Sequence, residues 1–131
     1  MKYNEFLGKV QHQARLGSES DTVSAVRATL ETLGERLAGG QAAHTAAQLP
    51  EEIGYYLKQA KRNESFELDT FYNRVAKRES VDYPDAVYHA KVVMSVLEEA
   101  LTPGEMRDLR AQLPDEYNDL FELDGGGRRG E

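Results

Sequence analysis

The sequence predicts an all-α fold in which a four-helix unit is duplicated in tandem, giving about eight helices in one compact domain with approximate two-fold symmetry. Three observations support this prediction. The hexapeptide Ala-Gln-Leu-Pro-Glu-Glu at residues 47–52 returns as Ala-Gln-Leu-Pro-Asp-Glu at 111–116, which is 64 residues later. Apolar residues are spaced three and four apart, as on one face of a helix. No stretch alternates between apolar and polar residues as a half-buried β-strand would.

The duplication also sets the expected domain limits. A fixed period indicates one supersecondary unit used twice, so we expect repeat one at residues 1–60 and repeat two at 66–123. We expect these repeats to form a single domain, although the pattern also fits two separate lobes. Residues 124–131 include four glycines, which disfavour a helix, and we expect them to be a disordered Gly/Arg tail.

The first helix of each repeat is short. Phe6 and Val10 mark its buried side in repeat one, and Phe71 marks it in repeat two. Asn4 and Asp69 are the expected N-caps, because a short polar side chain can accept a hydrogen bond from an unpaired N–H of the first turn.

The second helix is long, at about residues 20–38 and 84–101, and we expect the pair to form the centre of the fold. Ser18 and Asp82 are the predicted starts. The apolar stripes are Val23, Val26, Leu30, Leu33 and Leu37 in repeat one, and Val87, Ala90, Met94, Leu97 and Leu101 in repeat two.

Two short helices complete each repeat. The third is predicted at about 41–48 and 104–112, and Thr102 followed by Pro103 reads as its N-cap and first residue in repeat two. Pro50 breaks the chain and is expected to occupy the first position of the fourth helix.

Composition excludes several classes of protein. The 131 residues suit one domain, and the absence of cysteine excludes disulfides and thiolate metal sites. No apolar run is long enough for a membrane span, and no signal peptide is recognisable, so we expect a cytoplasmic protein without a membrane. The net charge of −7 falls on the second repeat, which disfavours nucleic acid and suits a basic partner.

The duplicated Gln-Leu-Pro motif has two interpretations. In the functional one, Gln48, Gln112, Glu52 and Glu116 form a duplicated binding site. In the structural one, Leu anchors a corner between helices, Pro starts the next helix, Glu caps it and Gln pairs with loose carbonyl groups. The second interpretation accounts for every residue of the motif without a ligand.

No residue pattern indicates catalysis. The three histidines do not repeat and none lies three or four residues from another, so we expect no metal site and no cofactor. Asp85 and His89, four residues apart, are expected to form a local polar pair. Nucleophile, phosphate-loop and dinucleotide motifs are absent, and the sequence therefore favours a protein that is not an enzyme.

The surface suggests a protein partner. Tyr83, Asp85 and Tyr88 are the expected contact residues, because exposed tyrosines are common interface anchors. A homodimer is also possible if the valines at 92, 93 and 96 give the second long helix a wider apolar face than one neighbour can cover. The main function predicted is a non-enzymatic interaction or regulatory module. The alternative is a small-molecule binder with a pocket at the seam between the repeats.

Over about residues 1–123 the chain resembles a bacterial family, the domain of unknown function numbered 2267. The resemblance depends on Tyr-Asn-Glu-Phe-Leu at residues 3–7 and on the Gln-Leu-Pro corner before an acidic helix start in each repeat. It implies a small, soluble, all-helical protein. It implies no activity, cofactor or catalytic residue.

Overall fold

The computed structural model describes residues 1–123, which form seven α-helices and a final 3₁₀ helix and contain no strand. The predicted all-α fold is confirmed, and the predicted tail at 124–131 lies outside the described residues. The helices are α1 Tyr3–Ala14, α2 Glu19–Arg36, α3 Gln41–Ala46, α4 Glu51–Leu57, α5 Leu68–Glu79, α6 Tyr83–Ala100, α7 Pro103–Ala111 and the 3₁₀ helix Asp115–Phe121.

The first two helices of each repeat correspond in length, and the first helices also end alike. Helices α1 and α5 each have 12 residues, and α2 and α6 each have 18. Both α1 and α5 end at a residue in the left-handed conformation, Arg15 with φ 57° and Ser80 with φ 62°. These two residues are 65 positions apart, the offset expected for the first helices.

The N-caps of two helices agree with the sequence prediction, and the starts of three other helices differ from it. Ser18 accepts the N–H of Asp21 at 3.0 Å, and Thr102 accepts that of Glu105 at 3.2 Å, as predicted. The predicted N-caps Asn4 and Asp69 are wrong, because α1 and α5 begin earlier and have Lys2 and Glu67 at that position. Pro50 lies at the N-cap of α4 rather than at its first helical position.

The two repeats pack crosswise. Helix α1 packs against α6 and α5 packs against α2, while the long helices α2 and α6 also contact each other. One continuous cluster of buried side chains contains residues of both repeats. Each first helix thus contacts the long helices of both repeats, which agrees with a two-fold relation, although the symmetry itself stays a prediction.

The wide apolar face of α6 is covered within the chain. Val92, Val93 and Val96 are fully buried in the isolated chain. The additional apolar side chains of α6, which in the sequence suggested a homodimer, therefore pack into the chain's own core. None of the helices between residues 1 and 123 combines the length and the apolar character that a membrane span needs.

Candidate functional site

The repeated glutamines join the two repeats by reciprocal hydrogen bonds. The side-chain oxygen of Gln48 accepts the N–H of Thr102 at 3.0 Å, and that of Gln112 accepts the N–H of Ala38 at 3.2 Å. Ala38 and Thr102 are 64 positions apart, as are the two glutamines. Each glutamine thus serves the same backbone position of the opposite repeat, and its partner is an N–H group rather than the predicted loose carbonyl.

A second contact across the seam surrounds Glu105, which is only 3% exposed. Its carboxylate accepts hydrogen bonds from Gln41 Nε2 at 2.8 Å and Thr45 Oγ1 at 2.7 Å, and contacts His44 Nδ1 at 2.7 Å. Gln41 and Glu105 occupy equivalent positions of the two repeats. Side chains of helix α3 therefore provide hydrogen-bond partners for the one carboxylate that α7 buries, which makes this cluster a structural link.

The two motif glutamates do not join these links. Glu52 and Glu116 are exposed in the first turns of α4 and of the 3₁₀ helix, where a carboxylate complements the helix dipole. The motif thus places its glutamines at the seam and its glutamates in solvent. The four side chains do not converge on one pocket.

Tyr83 lies in an acidic surface at the start of α6. Its hydroxyl donates to Asp69 at 2.7 Å, and its ring meets the ring of Tyr72 edge-on with centroids 6.0 Å apart. The Tyr72 hydroxyl, buried beneath, donates to Asp119 at 2.8 Å. Partial burial together with the Asp69 carboxylate raises the pKa of Tyr83 to about 12, so the phenol keeps its proton.

We define the acidic corner as Asp69, Asp82, Tyr83, Asp85 and Asp119. All five residues are exposed. Asp85 has no hydrogen bond or ion pair within residues 1–123, and Lys91 at 3.3 Å from Asp119 is the cation paired there. The corner therefore combines an aromatic ring of fixed orientation with several carboxylates.

Tyr88 lies on the other flank of α6. Its hydroxyl donates to the backbone carbonyl of Gln13, at the end of α1, at 2.6 Å. Tyr83 instead contacts α5, so the two predicted partner tyrosines do not form one patch. Tyr55, on α4, is the most exposed tyrosine of the described chain, at 57%.

The histidines contact glutamates separately. His89 lies 2.5 Å from Glu79, so the expected pair with Asp85 is wrong. Glu79 comes from the end of α5, which the sequence spacing within α6 could not reveal. The second carboxylate oxygen of Glu79 is buried without a partner. Between residues 1 and 123, no group of three or more His, Asp or Glu side chains has a metal-binding arrangement.

A groove with a volume of about 380 Å³ lies at the seam of α2 and α5. Ser24 and Arg27 of α2 line it, together with Arg78 of α5. Arg27 pairs with Glu31 at 3.0 Å, while Arg78 pairs with Glu35 at 2.6 Å. Both arginine charges at this groove are thus compensated by the protein.

A second groove, of about 340 Å³, lies within repeat one between the end of α2, the start of α3 and the segment after α4. Lys58, Lys61 and Arg62 line it, and no acidic side chain does. The predicted repeats leave residues 61–65 between them, and the sequence predicted no site there. The sequence does show a difference between the repeats at this groove. Glu122, which lies 64 positions after Lys58, carries the opposite charge.

Comparison with known proteins identifies the family to which the chain belongs. The family model described as "Uncharacterized conserved protein (DUF2267)" matches residues 3–120. This match agrees with the resemblance found in the Gln-Leu-Pro corners. No curated protein matches the chain.

Proposed function

The chain belongs to the DUF2267 family, and from that premise we propose that it is a non-enzymatic protein-interaction module whose acidic corner binds a basic segment of a partner protein. The observation that carries the proposal is the setting of Tyr83. Its ring is 38% exposed among four aspartates, and the hydrogen bond to Asp69 and the contact with Tyr72 fix its orientation.

A basic segment suits this surface in two ways. An arginine or lysine can lie over the face of Tyr83 while its charge meets the neighbouring carboxylates. A ring that is already ordered loses little side-chain entropy on binding, so more of the contact energy remains as affinity. The negative charge of repeat two also steers a basic partner towards the corner.

The test uses a fluorescent arginine-rich peptide and a glutamate-rich peptide of equal length, with binding followed by fluorescence anisotropy. We expect the full chain to bind only the basic peptide, and Tyr83→Ala or Asp85→Asn to weaken binding by about tenfold or less, as for a partly exposed anchor. Tyr55→Ala and Glu51→Gln remove an exposed tyrosine and an exposed carboxylate from repeat one, and they should leave binding unchanged. Equal affinity across all these variants, or no binding of the basic peptide, would reject the proposed surface.

The groove at the seam of α2 and α5 favours a second candidate function, in which the protein binds a small molecule at the junction of the repeats. Its volume of about 380 Å³ falls at the lower end of the range for ligand pockets. A compound that raises the melting temperature of the chain, and no longer does so after Ser24→Phe fills the groove, would support this candidate over the first.

A further inference from the structure

We propose that the basic groove of repeat one, defined above by Lys58, Lys61 and Arg62, binds a phosphate-bearing small molecule. This site is separate from the acidic corner and does not depend on the function proposed for that surface. Four features of the groove support this ligand: its uncompensated charge, its lining, its counterpart in repeat two and its size.

The three cations are not paired with carboxylates. Lys58, Lys61 and Arg62 are exposed, and no Asp or Glu oxygen of residues 1–123 lies within 4.0 Å of their charged nitrogens. Arg74 and Arg78 of α5, by contrast, both form ion pairs with Glu35 of α2. Three like charges beside one cavity repel each other, and an anion that bound among them would relieve that repulsion.

Glycine and alanine make up half of the residues that line the groove. Gly34, on α2, is in contact with the end of α4, and a Cβ added there would lie 2.3 Å from the carbonyl oxygen of Leu57. Gly39 has φ 63° and turns the chain towards α3, while a Cβ on Gly40 would meet nothing within 4 Å. The groove is partly open to solvent, and the position of Gly40 leaves space for a ligand.

Repeat two provides an internal comparison. At an offset of 64, Glu98 replaces Gly34 and Glu122 replaces Lys58. Helix α7 also begins at Pro103, equivalent to Gly39, so the second repeat has helix where the first has an open turn. None of the three cations is repeated: Lys58 corresponds to Glu122, and Lys61 and Arg62 correspond in sequence to Gly125 and Gly126.

The size and the surrounding charge identify the class of ligand. A volume of about 340 Å³ suits a molecule of nucleotide size. Lysine and arginine bind phosphate oxygens by charge-assisted hydrogen bonds, and the guanidinium group can do so with two parallel bonds. A nucleic acid polymer would extend beyond the groove over a chain of net charge −7, whereas a small anion feels mainly the cations within about 10 Å.

Calorimetric titration of the full chain with pyrophosphate, ATP and adenosine tests the proposal. We expect saturable binding of pyrophosphate or ATP, and at least about a tenfold loss of affinity in the double variant Lys61→Ala/Arg62→Ala, because charge-assisted hydrogen bonds are removed. Similar affinities for both anions would assign recognition to phosphate alone, and tighter ATP binding would place the organic part in the groove as well.

Matched variants separate charge from shape. Gly40→Glu adds a carboxylate to the groove and should abolish binding, whereas Gly40→Gln adds nearly the same volume without charge and should keep much of it. Lys77→Ala, an exposed cation on α5, should have no effect. The proposal would be overturned if neither anion bound at millimolar concentration, if adenosine bound as well as ATP, or if the groove variants matched the parent chain.

Discussion

Glu105 is a buried carboxylate that is held by side chains of the opposite repeat. Gln41 and Thr45 both donate to it, and the Thr102 hydroxyl caps the helix in which it lies. The side chain of Glu105 crosses the seam to α3, because burial at 3% exposure requires several donors for one charge.

We predict that Glu105→Ala lowers the free energy of unfolding by about 2–3 kcal/mol, because it leaves the donors of Gln41 and Thr45 without their charged acceptor. Urea denaturation of the full chain would measure the loss. Glu116→Ala, an exposed position in the 3₁₀ helix, should change stability by less than about 0.5 kcal/mol. A similar effect of the two substitutions would mean that the carboxylate of Glu105 does not link the repeats.

Glu35 links α2 to α5 and gives stability an acid dependence. Burial acts to raise the pKa of this carboxyl, but the hydrogen bonds and charges of Arg78 and Arg74 outweigh it and hold the pKa below the ordinary value of 4.5. The unfolded chain therefore binds a proton at a higher pH than the folded chain does. The stabilisation is complete above about pH 5 and decreases as the pH falls through the folded-state pKa.

We predict that Glu35→Gln lowers stability at pH 7 by about 1 kcal/mol, and that its effect becomes smaller as the pH falls through the folded-state pKa of Glu35, where the parent chain loses the ion pairs. Denaturation between pH 3 and 7 would show this convergence. Glu5→Gln serves as a control, since Glu5 has no ion pair within residues 1–123. A difference between parent and Glu35→Gln that is constant with pH would contradict the electrostatic account.

At the scale of the helices, the sequence correctly predicted the features that depend on residues close together in the chain. The spacing of apolar side chains predicted the first two helices of each repeat, and Ser18 and Thr102 were predicted as caps because their hydroxyls accept N–H groups three residues ahead. The short helices were predicted from the prolines, and the last of them is a 3₁₀ helix. The starts of α1 and α5 were missed because Tyr3 and Leu68 pack against the core and extend the helices backwards. Such tertiary packing overrides a local cap signal.

The candidate site was less predictable because its contacts are distant in sequence. Gln48 and Thr102, like Gln41 and Glu105, come together only after the repeats pack, and an apolar pattern carries no information on which polar groups meet. The basic groove needs the close approach of Leu57 to Gly34. The acidic character of repeat two, in contrast, was evident from the sequence, and it is the part of the site that composition alone could indicate.

The contact between α2 and α4 depends on a glycine. We predict that Gly34→Ala lowers stability by about 1–3 kcal/mol, because the new Cβ would lie 2.3 Å from the carbonyl oxygen of Leu57 and the backbone of α4 must shift. Gly8→Ala is the matched control. It lies within α1, where an added Cβ meets nothing within 4 Å, so it should stabilise the chain by about 0.5–1 kcal/mol.

Thermal unfolding of the two alanine variants distinguishes packing from helix propensity. Propensity alone would raise the melting temperature in both, since alanine favours a helix over glycine. Opposite shifts are the expected result. A stabilised Gly34→Ala would mean that α4 does not approach α2 as closely as the structure has it.

At the scale of the whole molecule, the crosswise packing implies that neither repeat is stable alone. Helix α1 packs against α6 and α5 against α2, so a separated repeat would expose the faces that the other repeat covers. We predict that fragments 1–64 and 65–123 each lack a cooperative unfolding transition. The intact chain should show one transition that is the same by circular dichroism and by tyrosine fluorescence, as two-state unfolding requires.

Mixing the two fragments tests whether each repeat needs the other in order to fold. Because the buried cluster is continuous across the repeats, the two fragments carry complementary apolar faces and the reciprocal bonds of Gln48 and Gln112. Equimolar fragments should therefore regain helicity together, with a midpoint that rises with concentration, because association is coupled to folding. Fragments that fold cooperatively by themselves would show instead that the duplication produced two lobes, each with a sufficient core of its own.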